Sequence, residues 1–296
     1  MWTTPLFIVM AIAIVTGNAI TMVIFTTSRR LRMRKYVLIA NLAVADFFVG
    51  LISVPMYISL LVKGTRHFSS TFERVYRIQD SLFGTASLFA LAALAVERAY
   101  ATYFPFKYVS LRRINYSFGI ALGWLSASLL GLLLFYLDRV INVALVLVCI
   151  SVSLVTVIIA YALIWIQMTC AKHSAHQAIY NSNKKLTISL AIISLITLVA
   201  WIPLIVIQVE HFICSDVISS CNPIILSYEF AAAAKWLQYG NSVVNVIVYS
   251  LRLREFKKEM LRRLRCSRIL PLHQERFELQ NVDNVDHPDN GNMNDN

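Results

Sequence analysis

Seven apolar segments, at about 5–27, 37–62, 72–104, 116–137, 143–168, 186–209 and 225–250, run through this 296-residue chain. Each is long enough to cross roughly 30 Å of hydrocarbon as a helix rising about 1.5 Å per residue. A water-soluble core of this size cannot bury so many runs of that length. Composition agrees: hydrophobic residues make up 58% and charged residues 15%, against roughly 45–50% and about 25% in an ordinary soluble chain. Those values exclude a soluble enzyme domain and a mainly disordered chain. The third and seventh segments are less purely apolar, and their assignment leans on the pattern of the whole. The predicted fold class is an all-α membrane protein, a seven-transmembrane helix bundle, because helices satisfy their own backbone hydrogen bonds inside a bilayer.

Charge orients the bundle. The net charge is +11. Arg29, Arg30, Arg32, Arg34 and Lys35 fill the first loop, Lys107, Arg112 and Arg113 the third, and Lys172, Lys184 and Lys185 the fifth. Eight more basic residues lie between Arg252 and Arg268, while the even-numbered loops hold only Lys63, Arg66 and Arg139. This bias predicts an extracellular N-terminus and a cytoplasmic C-terminus. It also accounts for the basic balance without nucleic acid. The first segment lacks a basic flank and runs straight into a spanning length, so it is not read as a cleavable signal. Every loop is short, and the one at Asp138-Arg139 is near the minimum for a helical hairpin.

After the seventh segment, Phe256, Met260, Leu261 and Leu264 share one helical face flanked by Lys and Arg. That pattern predicts a short amphipathic eighth helix on the inner membrane surface, in contact with membrane lipids. Cys266 at its end is a palmitoylation candidate or a plain free thiol. Residues 269–296 carry six acids and one arginine, and read as a disordered cytoplasmic tail. The domains are therefore 1–268, the membrane helical unit with its interfacial helix, and 269–296, the tail.

Polar residues inside membrane segments are costly and tend to mark function. They are Asn18 in the first, Asp46 in the second, Asp80, Ser87, Glu97 and Arg98 in the third, Trp124 in the fourth, and Asn241, Asn245 and Tyr249 in the seventh. The sixth carries Trp201-Ile202-Pro203. In order, spacing and side of the membrane, this set resembles a rhodopsin-like (class A) G-protein-coupled receptor over residues 5–268. The resemblance implies a non-enzymatic plasma-membrane receptor that senses an extracellular small ligand and activates a heterotrimeric G protein. It requires no cofactor. Arrestin is a further partner the family implies, although Ser267 is the only hydroxyl in this sequence after residue 252.

Residue by residue, the resemblance assigns Asp46, Ser87, Asn241 and Asn245 to an allosteric sodium pocket, with Asn18 nearby; a polar network that only joins helices is the alternative. Glu97-Arg98, followed by Ala99 where the family has tyrosine, is the inner switch. Its usual second acid is replaced by Asn183-Lys184-Lys185, which implies raised basal signalling. Trp201 and Pro203 form the sixth-helix hinge, since proline lacks an N–H and breaks a helix. Asn245-Val246-Ile247-Val248-Tyr249 lacks the family proline, and Ser153 replaces the one in the fifth helix. Tyr161 and Tyr249 match the tyrosines that turn inward on activation. Pro105 and Phe106 are the expected G-protein contact.

Asp80 is the ligand clue. It stands eighteen residues before Arg98, five turns outward. Amine receptors pair an aspartate there with a ligand ammonium, with Tyr239 and Trp236 matching the opposing aromatics. Leu204 and Ile205 replace the aromatic pair above Trp201. Lys235, one turn above Tyr239, offers Asp80 an internal partner instead. A second resemblance is to melanocortin and adenosine receptors, and it implies a peptide, nucleoside or lipid ligand. The usual outer disulfide is absent, with Glu73 at its helix position, while Cys214 and Cys221 offer a local one. A receptor-like protein with high basal activity and no ligand of its own is a third reading. A transporter or channel using Asp46 and Asp80 as a cation path predicts internal repeats that this chain lacks.

Overall fold

A computed structural model describes residues 3–28, 31, 36–63, 70–170, 177–216, 225, 227–253 and 255–263. The helices are α1 (Thr3–Thr27), α2 (Val37–Phe48), α3 (Val54–Lys63), α4 (Ser70–Tyr103), α5 (Pro105–Ser110), α6 (Arg113–Tyr136), α7 (Arg139–Cys170), α8 (Gln177–Asp216) and α9 (Tyr228–Arg252). A further helix, α10, covers 255–263. α2 and α3 are one membrane crossing joined by a π-helical turn at Val49–Ser53. The structure is thus an all-α bundle with short helices added to the long ones.

The seventh segment is less purely apolar in the sequence, and the structure gives the reason. Among the described residues, six helical stretches are long and apolar enough to cross a membrane. α9 falls short, because its inward face carries Gln238, Asn241, Ser242 and Asn245, all buried. It is a 25-residue helix packed against α1 and α8, so its polar side faces protein. α4 stands centrally, touching α2, α5, α6, α7 and α8. Leu122, Leu125, Leu129 and Leu132 on α6 face outward, as lipid contact demands.

Close approach needs small residues. A Cβ on Gly50, in the π-helical turn, would stand 2.6 Å from Ile14 Cγ2. One on Gly17 would meet Val246 at 3.2 Å. These glycines let α1 lie tightly on α2 and α9, the packing that serves in place of a hydrophobic driving force between membrane helices. Trp124 Nε1 donates to Asn41 Oδ1 at 2.9 Å, fastening α6 to α2.

The ends have local causes. α4 stops before Phe104-Pro105, because the residue preceding proline is driven out of helical geometry. Pro105 then opens α5, where its missing N–H costs nothing. The α6–α7 hairpin needs only Leu137 and Asp138 between helices. Asn142 of α7 reaches back, its amide donating to the Leu134 and Leu137 carbonyls at 3.1 and 2.9 Å. Those carbonyls would otherwise end α6 without partners.

α10 differs from its predicted face. Phe256 is fully buried against Phe25 and Tyr249, and Met260 packs on the same core. Leu261 is 40% exposed and is not on that face, since it lies 100° round the helix from Met260. Leu264, Cys266 and the 269–296 tail lie outside the described residues.

Candidate functional site

The buried polar side chains form three clusters stacked along the bundle. The outermost lies between α4 and α9. Lys235 Nζ is 2.5 Å from Asp80 Oδ2 and donates to Gln238 Oε1 at 3.0 Å. Tyr239 donates to Asp80 Oδ1 at 2.8 Å, and its hydroxyl is 2.9 Å from that of Tyr76. The Lys235 ammonium lies 5.8 and 5.4 Å from the Tyr76 and Tyr239 ring centroids. Tyr57 stacks on Tyr76 at 6.0 Å and meets Tyr239 edge-on at 5.9 Å. An ammonium is therefore held by a carboxylate inside a tyrosine wall. Trp236, expected opposite Asp80, is instead 45% exposed and lies outside this cluster. Its neighbour Lys235 takes the inward position, because consecutive residues diverge by about 100° on a helix.

Trp201 and Leu204 are buried with Leu88, Ile150 and Leu154, and Ile205 packs against them. Pro203 lies inside α8. The Trp201 indole N–H is buried without a hydrogen-bond partner. A Cβ on Gly84 would lie 3.5 Å from both Trp201 Cη2 and Gln238 Nε2. Gly84 thus brings the Lys235 partner Gln238 and the α8 tryptophan to the same point on α4.

The middle cluster surrounds Asp46, which is fully buried. Ser87 and Ser242 donate to Oδ1 at 2.8 and 2.9 Å, and Asn245 donates to Oδ2 at 2.6 Å. Asn241, expected at this cluster, accepts from Thr197 through its Oδ1 at 2.8 Å and so ties α9 to α8. Ser242 takes its place. Asn18 is buried and its amide donates to Ile14 O at 2.9 Å. The Oδ1 atoms of Asn18 and Asn245 are buried without donors.

The inner cluster holds Glu97 and Arg98, 8% and 0% exposed. Arg98 Nε donates to Glu97 Oε2 at 2.7 Å, and Nη2 donates to Oε1. Nη2 also donates to the Tyr108 hydroxyl at 2.9 Å, which donates to Glu97 Oε1 at 2.7 Å. Tyr116 adds a third donor at 3.2 Å. Burial pushes the Tyr108 phenol up, so it stays a donor at neutral pH. Tyr161 packs on the central core, and Tyr249 is fully buried. Pro105 is partly buried and Phe106 is 67% exposed on α5. The side chains of Asn183, Lys184 and Lys185 lie outside the described residues.

Sequence reasoning missed Tyr76, Ser242, Tyr108 and Tyr116. Two carried a signal. Tyr76 sits four residues before Asp80, and Ser242 three before Asn245, so each shares a helix face with a recognised residue. Tyr108 and Tyr116 carried none, because a loop fold brings them to Glu97. Cys214 is held in a disulfide; Cys221, its expected partner, lies outside the described residues.

Among the described residues, seven long helical passes, a carboxylate at the centre of the second and an acid–arginine pair near the end of the third make up the bundle. The family model described as 7 transmembrane receptor (rhodopsin family) matches residues 17–140. Over that stretch, less than half of its length, the chain is similar to the rhodopsin-like receptor family. It is 37% identical to the histamine H4 receptor of Rattus norvegicus over 89 residues, covering 30% of this chain and 22% of that receptor. It is 24% identical to the sphingosine 1-phosphate receptor 2 of Homo sapiens over 281 residues, 88% of this chain and 76% of that receptor. The histamine H2 receptor of Canis lupus familiaris is likewise 24% identical over 286 residues, at 87% and 78% coverage. The match to the histamine H4 receptor thus spans about a fifth of its length. These relatives are named for different ligands, so ligand class rests on the site.

Proposed function

We propose that this chain is a plasma-membrane receptor that binds an extracellular small molecule through a protonated amine and activates a heterotrimeric G protein. One observation carries the reading: Asp80, on the central helix, already holds an ammonium at 2.5 Å with Tyr239 as second partner. A site that accommodates one ammonium is chemically suited to another. Two of the relatives are named for histamine. The basic loops put the N-terminus outside and the C-terminus in the cytoplasm.

Transmission uses contacts already described. A ligand at Asp80 displaces Lys235, and Lys235 bonds Gln238. Gln238 and Trp201 both lie against Gly84, so a disturbance there can reach α8 beside Pro203. Helix movement there favours release of Arg98 from Glu97 toward the partner protein, with Tyr161 and Tyr249 turning inward and Asn245 carrying the seventh-helix share. Pro105 and Phe106 offer an apolar contact. The two ends are coupled reciprocally, by about 1–3 kcal/mol in typical cases.

Sodium fits the middle cluster. A buried carboxylate bonded only by neutral donors, with two buried amide oxygens lacking partners, suits a hard cation. Asp46, Ser87, Ser242 and Asn245 would hold it, with Asn18 adjacent, and it would supply positive charge that favours the resting state. Asn241 acts through Thr197. A Cys214–Cys221 bridge would close the last outer loop, and palmitoylation at Cys266 would anchor α10. Arrestin is a further partner the family suggests.

The test is second-messenger output across the main G-protein pathways, at matched surface levels, against a panel of biogenic amines. The expected result is an amine response reduced at least tenfold in Asp80→Asn and abolished in Arg98→Ala. Amine responses that survive Asp80→Asn unchanged overturn the ammonium site. Basal output equal to that of untransfected cells counts against raised basal signalling.

A further inference from the structure

We infer that the ligand of the outer cluster is a small zwitterion, carrying an anionic group beside its ammonium, and that Lys235 selects for the anion. This rests on the reading of Asp80 as the ammonium anchor.

The Asp80 carboxylate is not a free counter-charge. Lys235 Nζ stands 2.5 Å from it, with side chains 17% and 10% exposed. The same ammonium faces two tyrosine rings at cation–π distance. The chain's own lysine therefore occupies the place a ligand cation would take. Both charges are largely out of water, where breaking one pair without making another is costly.

Charge counting then separates the ligand classes. A plain amine that takes Asp80 displaces Lys235 and leaves two cations around one carboxylate. A plain anion that draws Lys235 off leaves Asp80 with Tyr239 as its donor. A zwitterion inserted between them pairs its ammonium with Asp80 and its anion with Lys235. The site stays neutral, and neither buried charge is left alone. Of the other outer charges on α4, Glu73 and Arg77 pair with each other at 3.6 Å, and Arg74 is drawn aside over the Phe135 ring of α6 at 5.5 Å. Gln238, bonded to Lys235 at 3.0 Å, gives that side chain a defined resting direction. Lys235 is thus a specificity residue, and the resting receptor carries a built-in competitor that only a ligand with both charges replaces without loss.

The probes are matched pairs differing by one carboxylate: histidine and histamine, tyrosine and tyramine, tryptophan and tryptamine. The readouts are second-messenger dose–response in cells and thermal stabilisation of the purified full-length receptor. The expected result is at least one pair whose amino acid acts at a tenfold lower concentration than its amine. Lys235→Gln should remove that preference and improve the amine, whereas Lys235→Arg, which keeps the charge, should retain it. Retention in the arginine variant separates a charge effect from loss of fold. A wild type that prefers the amine, or a ratio unchanged in Lys235→Gln, overturns the inference. If amines then still require Asp80, the ammonium reading stands alone. If no probe acts, or all act without Asp80, both fall.

Discussion

Two charged pairs share α4, and they are built in opposite ways. At the inner end, Glu97 and Arg98 are sequence neighbours, sealed by Tyr108 and Tyr116 from the next two helices along the chain. At the outer end, Asp80 pairs with Lys235, 155 residues away. The inner pair is local, made by neighbours on one helix. The outer pair clamps α4 to α9, so anything that enters it pulls on two helices at once. On the proposed function, the inner pair is a local lock and the outer pair a long-range clamp on one helix, with the outer end the one open to a ligand.

That contrast yields an order of effects. Glu97→Gln should be the most damaging. It leaves a fully buried guanidinium without its carboxylate, and breaking such a pair costs about 3–5 kcal/mol. Lower melting temperature of the purified receptor together with raised basal output is the expected result. Lys235→Gln should cost less, about 2 kcal/mol, because Asp80 keeps Tyr239 and lies nearer the mouth. Equal losses in the two variants would break the comparison.

The tyrosines sharpen it. Tyr108→Phe removes a hydroxyl that both accepts from Arg98 and donates to Glu97, whereas Tyr116→Phe removes one bond of 3.2 Å. The expected costs are about 1–2 kcal/mol and under about 1 kcal/mol. Basal second-messenger output should rise in the same order. A larger rise in Tyr116→Phe would move the lock from α5 to α6.

The smallest effect belongs to α10. Hydrogen bonds from Arg262, then Arg263, hold the half-buried Glu259 carboxyl below the usual carboxylate range. A lowered pKa gives stability that is present above the ordinary carboxylate value and lost as pH falls through the lowered one. Solvent screens these contacts, so Glu259→Gln should leave melting at neutral pH almost unchanged. It should flatten only the acid limb of a melting-temperature profile, and a drop at neutral pH would give α10 more weight.

Much of this was legible in the chain. Long apolar runs force helices because a bilayer offers no other partner for backbone groups, and six crossings are evident from hydropathy alone. The seventh was legible only as part of the pattern, since its polar inner face hides it. Asp46, Asp80, Glu97 and Arg98 stood out because charge inside a span is expensive. Their partners did not. Which α9 residue meets Asp46 turned on helix rotation, and Ser242 stands there while Asn241 reaches Thr197 on α8. The same rotation sends Lys235 inward and Trp236 outward.

Residue order alone determined that this chain crosses the membrane as a helical bundle, which end is basic, and where its buried charges lie, because those follow from transfer energies that act locally. Tertiary structure alone decided what each charge touches. Pairing across 155 residues depends on how helices are rotated and how closely glycines let them approach, and neither is encoded at a single position.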